Sequence, residues 1–412
     1  MTGGMRIPVS RADATALFIF TGALSASVGI GSERVTVLMV AVIFSVFANA
    51  LMMGRALLAW VPSFPEPGVR PFAEYLLGLA SLSALIFTAC VVLGISAGSA
   101  YLSCCAVGCC ALLYNAQARR NVDPWTNFDL ASCAGITVTC LTWSWKAIDA
   151  VPTFRATGRF LAWSDYMMRS DAVLQFAYYA ERGSRIGFYH FMTYMLPASL
   201  SALADVRSLV AVTAFWTPLG YVLMGLGAYC VGAVLAGRLG AIASAAALLL
   251  VPDAAHYGLK NAFYDFHWLQ QIESAGAFTV GLALLVTALV IIALRHENTR
   301  ALWIAAIVSL ALLGFRAHIF LPLGIAETLL LMAFWRPKQK WAGIAALIAI
   351  AIVGGGAWRL RRSFHARPIS SCFIRTQLAL RRKCCSIARR STQSTSKSFW
   401  PVSLDRWRFS SA

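Results

Sequence analysis

What most constrains this chain is a succession of apolar stretches, each about as long as a membrane is thick. They run over about 14–30, 35–61, 72–97, 100–117, 129–148, 209–236, 239–252, 275–295, 301–315, 318–335 and 341–358. A helix needs roughly 20 apolar residues to cross the hydrocarbon core. In lipid the backbone has no water to bond, so helices satisfy it within the segment. No period-two alternation points to a barrel. Composition decides the solvent: 59% of residues are hydrophobic and 13% charged, more apolar surface than a water-soluble domain hides. The expected fold is all-α, a polytopic transmembrane bundle of about 10–12 helices with an interfacial or re-entrant outer segment. It divides into N-terminal transmembrane helices (1–148), an outer acidic loop and re-entrant segment (149–208), C-terminal transmembrane helices (209–358, with an outer loop at 253–274) and a basic tail (359–412).

A formal net charge of +18 invites a nucleic-acid partner, but its distribution argues against one. From Arg359 to the end there are 13 Lys or Arg and a single acid, Asp405. The remaining chain is only mildly basic, as expected of short cytoplasmic loops. The tail loses the hydrophobic pattern abruptly and is rich in Arg, Ser and Cys. It reads as a solvated, disordered segment, or more sharply as out-of-frame translation at the end of a truncated, inactive version of a longer protein. The cysteine-rich "CCAVGCC" (Cys104, Cys105, Cys109, Cys110) lies inside an apolar stretch. There cysteine acts as a small packing residue, and no residues are assigned as metal ligands.

Positive charge orients the bundle. Arg119 and Arg120, Arg295 and Arg300, and Arg336 with Lys338 and Lys340 are expected on the cytoplasmic side. The connection at 149–208 then emerges outside. For Arg295 to return inside, the stretch "GFYHFMTYMLPASLSALADV" cannot be a full crossing, and Pro197 in its middle agrees. Arg238 marks an inner turn between 209–236 and 239–252, and "FRAHIF" an outer turn between 301–315 and 318–335.

Three outer connections therefore carry ionisable residues, which are costly beside a bilayer and are functional candidates for that reason. The first, "FLAWSDYMMRSDAVLQFA", holds Asp165 and Asp171, six positions and so about 120° apart on a helix. Asp165 is either a general base or the partner of Arg169 in a solvated i,i+4 pair. Trp163, Tyr166 and Phe176 are expected to anchor this helix at headgroup depth. His190 follows, where the chain re-enters the membrane. The second connection holds Asp253, which can cap a helix start, and His256, Lys260, Asp265 and His267, suited to meeting an anionic substrate. The third offers Arg316 and His318, where a guanidinium could grip a phosphate.

The order of these landmarks resembles the GT-C superfamily of polytopic membrane glycosyltransferases over about 145–340. An outer Trp-x-Asp loop precedes a Tyr-His re-entrant segment with proline, and "VRSLV" and "AGRLGAIASAAALLLVP" follow, with Arg207, Arg238, Gly240 and Pro252. The resemblance implies transfer of a sugar from a polyprenyl-phosphate donor at the outer face of a bacterial-type inner (plasma) membrane. Its expected catalytic residues are Asp165 and Asp171. Its expected substrate-binding residues are His190, His256, Lys260, Asp265, His267, Arg316 and His318. Its partners would be membrane lipids and the lipid-linked sugar donor, with no nucleic acid. The cofactor stays open, a divalent metal ion at the acids being one alternative. A transporter or flippase and a non-catalytic membrane protein are the competing classes, although no internal repeat favours transport.

Overall fold

The computed structural model describes residues 10–59, 61, 68–117, 125–160, 165–178, 191–250 and 274–334. The expected helix at 341–358 and the tail lie outside these residues. Among the described residues every regular element is helical. Six helices are long and apolar enough to cross a membrane, so the all-α expectation holds and the chain is a membrane protein.

Five helices open the chain: α1 (Arg11–Ser32), α2 (Val37–Leu58), α3 (Val69–Leu93), α4 (Ala97–Gln117) and α5 (Asn127–Trp143). Their limits follow from capping chemistry. The Ser10 hydroxyl accepts the Asp13 N–H at 3.1 Å while the Asp13 carboxylate accepts the Ser10 N–H at 2.7 Å. Thr126 and Asp129 repeat this reciprocal cap on α5. Thr36 caps α2, and Gly94, in the left-handed conformation at φ 65°, ends α3. Two glycines set how closely α2 and α3 approach. A Cβ at Gly78 would stand 1.7 Å from the Ala50 carbonyl oxygen, and one at Gly54 1.8 Å from that of Glu74. Such backbone contact is how helices associate where lipid supplies no hydrophobic drive.

The short helices α6 (Trp145–Ile148), α7 (Ala150–Thr157) and α8 (Asp165–Tyr178) follow. A 3-10 turn at Met192–Tyr194 then leads into α9 (Met195–Ala204). Ten residues rise about 15 Å, half a membrane core, so α9 cannot span one. It is buried along most of its length and its Ser199 hydroxyl donates to the Ala97 carbonyl at 3.1 Å. α9 carries Pro197 of the expected re-entrant segment.

α10 (Ser208–Leu250) begins with a π-helical stretch at Ala211–Trp216 and breaks at Ala236 and Gly237, beside the expected turn at Arg238. The two arms of the resulting hairpin meet at Gly232 and Gly240. α11 (Ser274–His296) packs along the first arm, and α12 (Thr299–Phe334) breaks at Arg316, whose backbone is extended. Exposed apolar side chains such as Phe18, Val92, Leu102, Val138, Ile307 and Ile325 ring the outside. That pattern suits lipid and would be a liability in water.

Candidate functional site

The site forms where α8, the 3-10 turn, α9 and the first arm of α10 pack together. α8 has one apolar stripe at helical spacing: Tyr166, Val173, Phe176 and Ala177 are all buried. Arg169 lies on the same stripe and is 8% exposed. Its guanidinium sits 5.7 Å from the centre of the Trp216 ring, which is fully buried in the π-helical stretch. A desolvated cation over an indole face gains about 2 kcal/mol. The indole N–H of Trp216 has no hydrogen-bond partner among the described residues. A buried donor left open is rare in folded proteins and marks a place where a bound group could be held.

An aromatic line connects these groups to their surroundings. Tyr194 stands 4.9 Å from Trp216, Phe191 6.0 Å from Tyr194, Phe176 5.8 Å from Phe191, and Phe87 of α3 6.2 Å from Phe176. Tyr166 bonds Thr217 at the head of the next turn. Burial pushes its phenol above the ordinary value, while Thr217 and the nearby Arg169 pull it down. The Tyr178 hydroxyl donates to the Ser201 carbonyl at 3.0 Å, tying α8 to α9.

The break in α12 reaches the same region. A Cβ on Gly314 would come within 2.4 Å of the Met192 side chain, and Phe315 stacks on Phe278 of α11 at 5.3 Å. Next in sequence is Arg316, buried at 5% exposure. Two guanidinium groups are therefore withdrawn from solvent, Arg169 and Arg316.

The sequence-predicted residues fare unequally. Asp165 is the first residue of α8, one helical turn before Arg169. Asp171 stands on the opposite, exposed face and accepts a hydrogen bond from Gln175 at 2.8 Å. Arg316 falls at the helix break, and His318 follows in the second arm. His190, His256, Lys260, Asp265 and His267, as well as Trp163, lie outside the described residues. Two expectations are corrected. Arg169 does not lie on a solvated face, because it is buried under Trp216, and the side chain of Asp165 lies outside the described residues. Tyr166 and Phe176 do not anchor α8 at headgroup depth, because both are 2% exposed and packed inside the bundle. The stripe that buries Arg169 was visible as Tyr166, Val173 and Phe176 at spacings of seven and three, had it been read for the cation between them.

A second buried polar group was not anticipated at all. Arg55 of α2 donates to Asp13 at 2.8 Å and Glu74 at 3.0 Å, and Arg70 donates to Glu74 at 3.2 Å. The Trp125 indole N–H donates to Asp13 at 3.0 Å. Nearby on α5, Asp129 accepts from Tyr229 at 2.9 Å. These side chains join α1, α2, α3 and α5 at the end carrying the helix starts Ser10 and Thr126. Arg55 and Arg70 balance Asp13 and Glu74, and hydrogen bonds satisfy Asp129, as in a structural clamp. Among the described residues no group of three or more His, Cys, Asp or Glu is arranged to hold a metal ion.

Comparison of the chain with protein-family models, with curated proteins and with solved structures returns no match.

Proposed function

We propose that this membrane protein is a glycosyltransferase that takes a sugar from a polyprenyl-phosphate donor, with its site where α8, the 3-10 turn and α9 pack together and the α12 break approaches the turn. The supporting observation is the burial of Arg169 and Arg316 within the helical bundle, Arg169 on the helix that packs against α9. Cations withdrawn into a membrane bundle are expensive and mark sites of ion or substrate handling. Sugar transfer from a lipid phosphate leaves negative charge on the departing phosphate, which a preorganised guanidinium stabilises. It also needs a base to take the proton of the acceptor hydroxyl. Asp165, opening the helix that carries Arg169, is assigned that role. Asp171, turned away and bonded to Gln175, is not. The resemblance to the GT-C superfamily supplies the donor class, and an outer-face site in an inner (plasma) membrane belongs to the same proposal.

The test is transfer of labelled sugar from a polyprenyl-phosphate donor by the chain reconstituted in liposomes. Asp165→Asn is expected to lower the rate by about a hundredfold or more. Arg169→Gln should weaken turnover as well, with Asp171→Asn close to the parent. Equal transfer by Asp165→Asn and the parent would remove Asp165 as the base. A folded protein with no transfer would favour a second reading, transport. One observation speaks for that alternative. Glu327 of α12 is buried, accepts from the Ser309 hydroxyl at 3.0 Å and has no partner for its other oxygen among the described residues. An intramembrane carboxyl of this kind is a common proton carrier.

A further inference from the structure

A cavity of about 220 Å³ opens between the turn joining α1 to α2 and the turn joining α9 to α10. It is smaller than the roughly 300–1,000 Å³ of clefts that take drug-sized ligands, so it fits a compact group. Three of its lining residues are arginines: Arg34, Arg155 and Arg207. Asp205 is the one acid among the described lining residues, and it lies 3.9 Å from Arg34 with both side chains largely solvated. Arg155 is bridged by Glu33. Arg207 is exposed and has no ion pair among the described residues. Thr36 and Met39 place the first turn of α2 in the wall. The positive end of that 22-residue helix adds to the field of the guanidiniums.

Bare apolar side chains flank the lining residues Arg34 and Thr36 in the chain: Val35, Val37 and Leu38 are 63%, 88% and 56% exposed. A cationic hollow with exposed aliphatic side chains next to it in the chain matches a molecule with a phosphate next to hydrocarbon. We infer that this cavity binds the phosphate of an anionic phospholipid headgroup, with Arg34 and Arg207 as the contacting cations and Val35, Val37 and Leu38 against the acyl chains. The inference stands apart from the proposed transfer reaction and survives its failure. None of these side chains belongs to the group around Arg169.

Binding is measured on the purified full chain in detergent, using short-chain phosphatidylglycerol, short-chain phosphatidylcholine and inorganic phosphate as separate probes. Phosphatidylglycerol should bind more tightly than phosphatidylcholine. Arg34→Gln with Arg207→Gln should weaken it by about tenfold or more, the scale of lost charge-assisted hydrogen bonds. Asp205→Asn, which removes the competing acid from an exposed turn, should strengthen it. Inorganic phosphate that binds with the same arginine dependence, and matches the lipid, would assign the site to free oxoanions with the same chemistry. Phosphatidylglycerol binding that neither arginine removal nor Asp205→Asn alters would overturn the assignment, as would no binding of any probe.

Discussion

Arg55 shows how much one residue can carry in a lipid-facing bundle. Its guanidinium is 4% exposed and bonds two carboxylates, those of Asp13 and Glu74. Removing one member of such a group strands buried charge and costs about 3–5 kcal/mol, whereas replacing the whole group is often nearly neutral. Arg55→Met should therefore unfold in detergent at a clearly lower temperature. Adding Asp13→Asn to it, which leaves the buried Arg70–Glu74 pair intact, should restore much of the loss. If the double variant is no better than Arg55→Met, the stranded carboxylate is not the reason for its cost. Asp171 is the opposite case. It is exposed and its bond to Gln175 is local, so Asp171→Asn should change stability by less than about 0.5 kcal/mol in the same melt.

At the scale of elements, the hairpin in α10 isolates a backbone effect. Gly237 sits at φ 67° and ψ −158°, a region open essentially to glycine. A Cβ there would meet nothing within 4 Å, so packing offers no objection to alanine. Gly237→Ala should nonetheless destabilise by about 1–3 kcal/mol. Gly22→Ala, whose Cβ is equally unobstructed but whose backbone is helical, should be neutral or better. Equal melting of the two variants would remove the conformational explanation. This turn was legible in the sequence because hydropathy lapses at Arg238 between two apolar runs, and the break at Arg316 was legible for the same reason. The half-length of α9 could also be inferred, from Pro197 and the need to return Arg295 to the inner side. What α8 buries was not read correctly. Two acids drew attention, yet the face is decided by Trp216, some 45 positions away in sequence, and by the apolar stripe that matches it. The clamp was illegible for a related reason. Asp13 and Arg55 are 42 positions apart, and Arg55 and Glu74 are 19 apart, so no local spacing announces them.

For the whole molecule, the polar groups gather at two ends. At one, Val210 lines the arginine-rich cavity with Arg155 and Arg34. At the other, the Val234 carbonyl accepts from Arg295 at the foot of α11. Helical rise puts Val210 and Val234 about 36 Å apart, and the hydrocarbon core is about 30 Å thick. The two ends therefore cannot both sit in one headgroup layer if α10 stands upright in the bilayer. Arg238, Arg295 and Arg300 gather at the Val234 end, which the bias of short loops assigns to the cytoplasm. Cysteines placed at Arg159, one turn beyond Arg155, and at His296, both exposed, should report this in a background stripped of the native thiols. In sealed right-side-out vesicles a membrane-impermeant thiol reagent should label Arg159→Cys at once and His296→Cys only after permeabilisation. The reverse order would keep the crossing and overturn the sidedness. Labelling of both from outside would overturn the crossing itself, and with it the placing of α8 and α9 at the outer face.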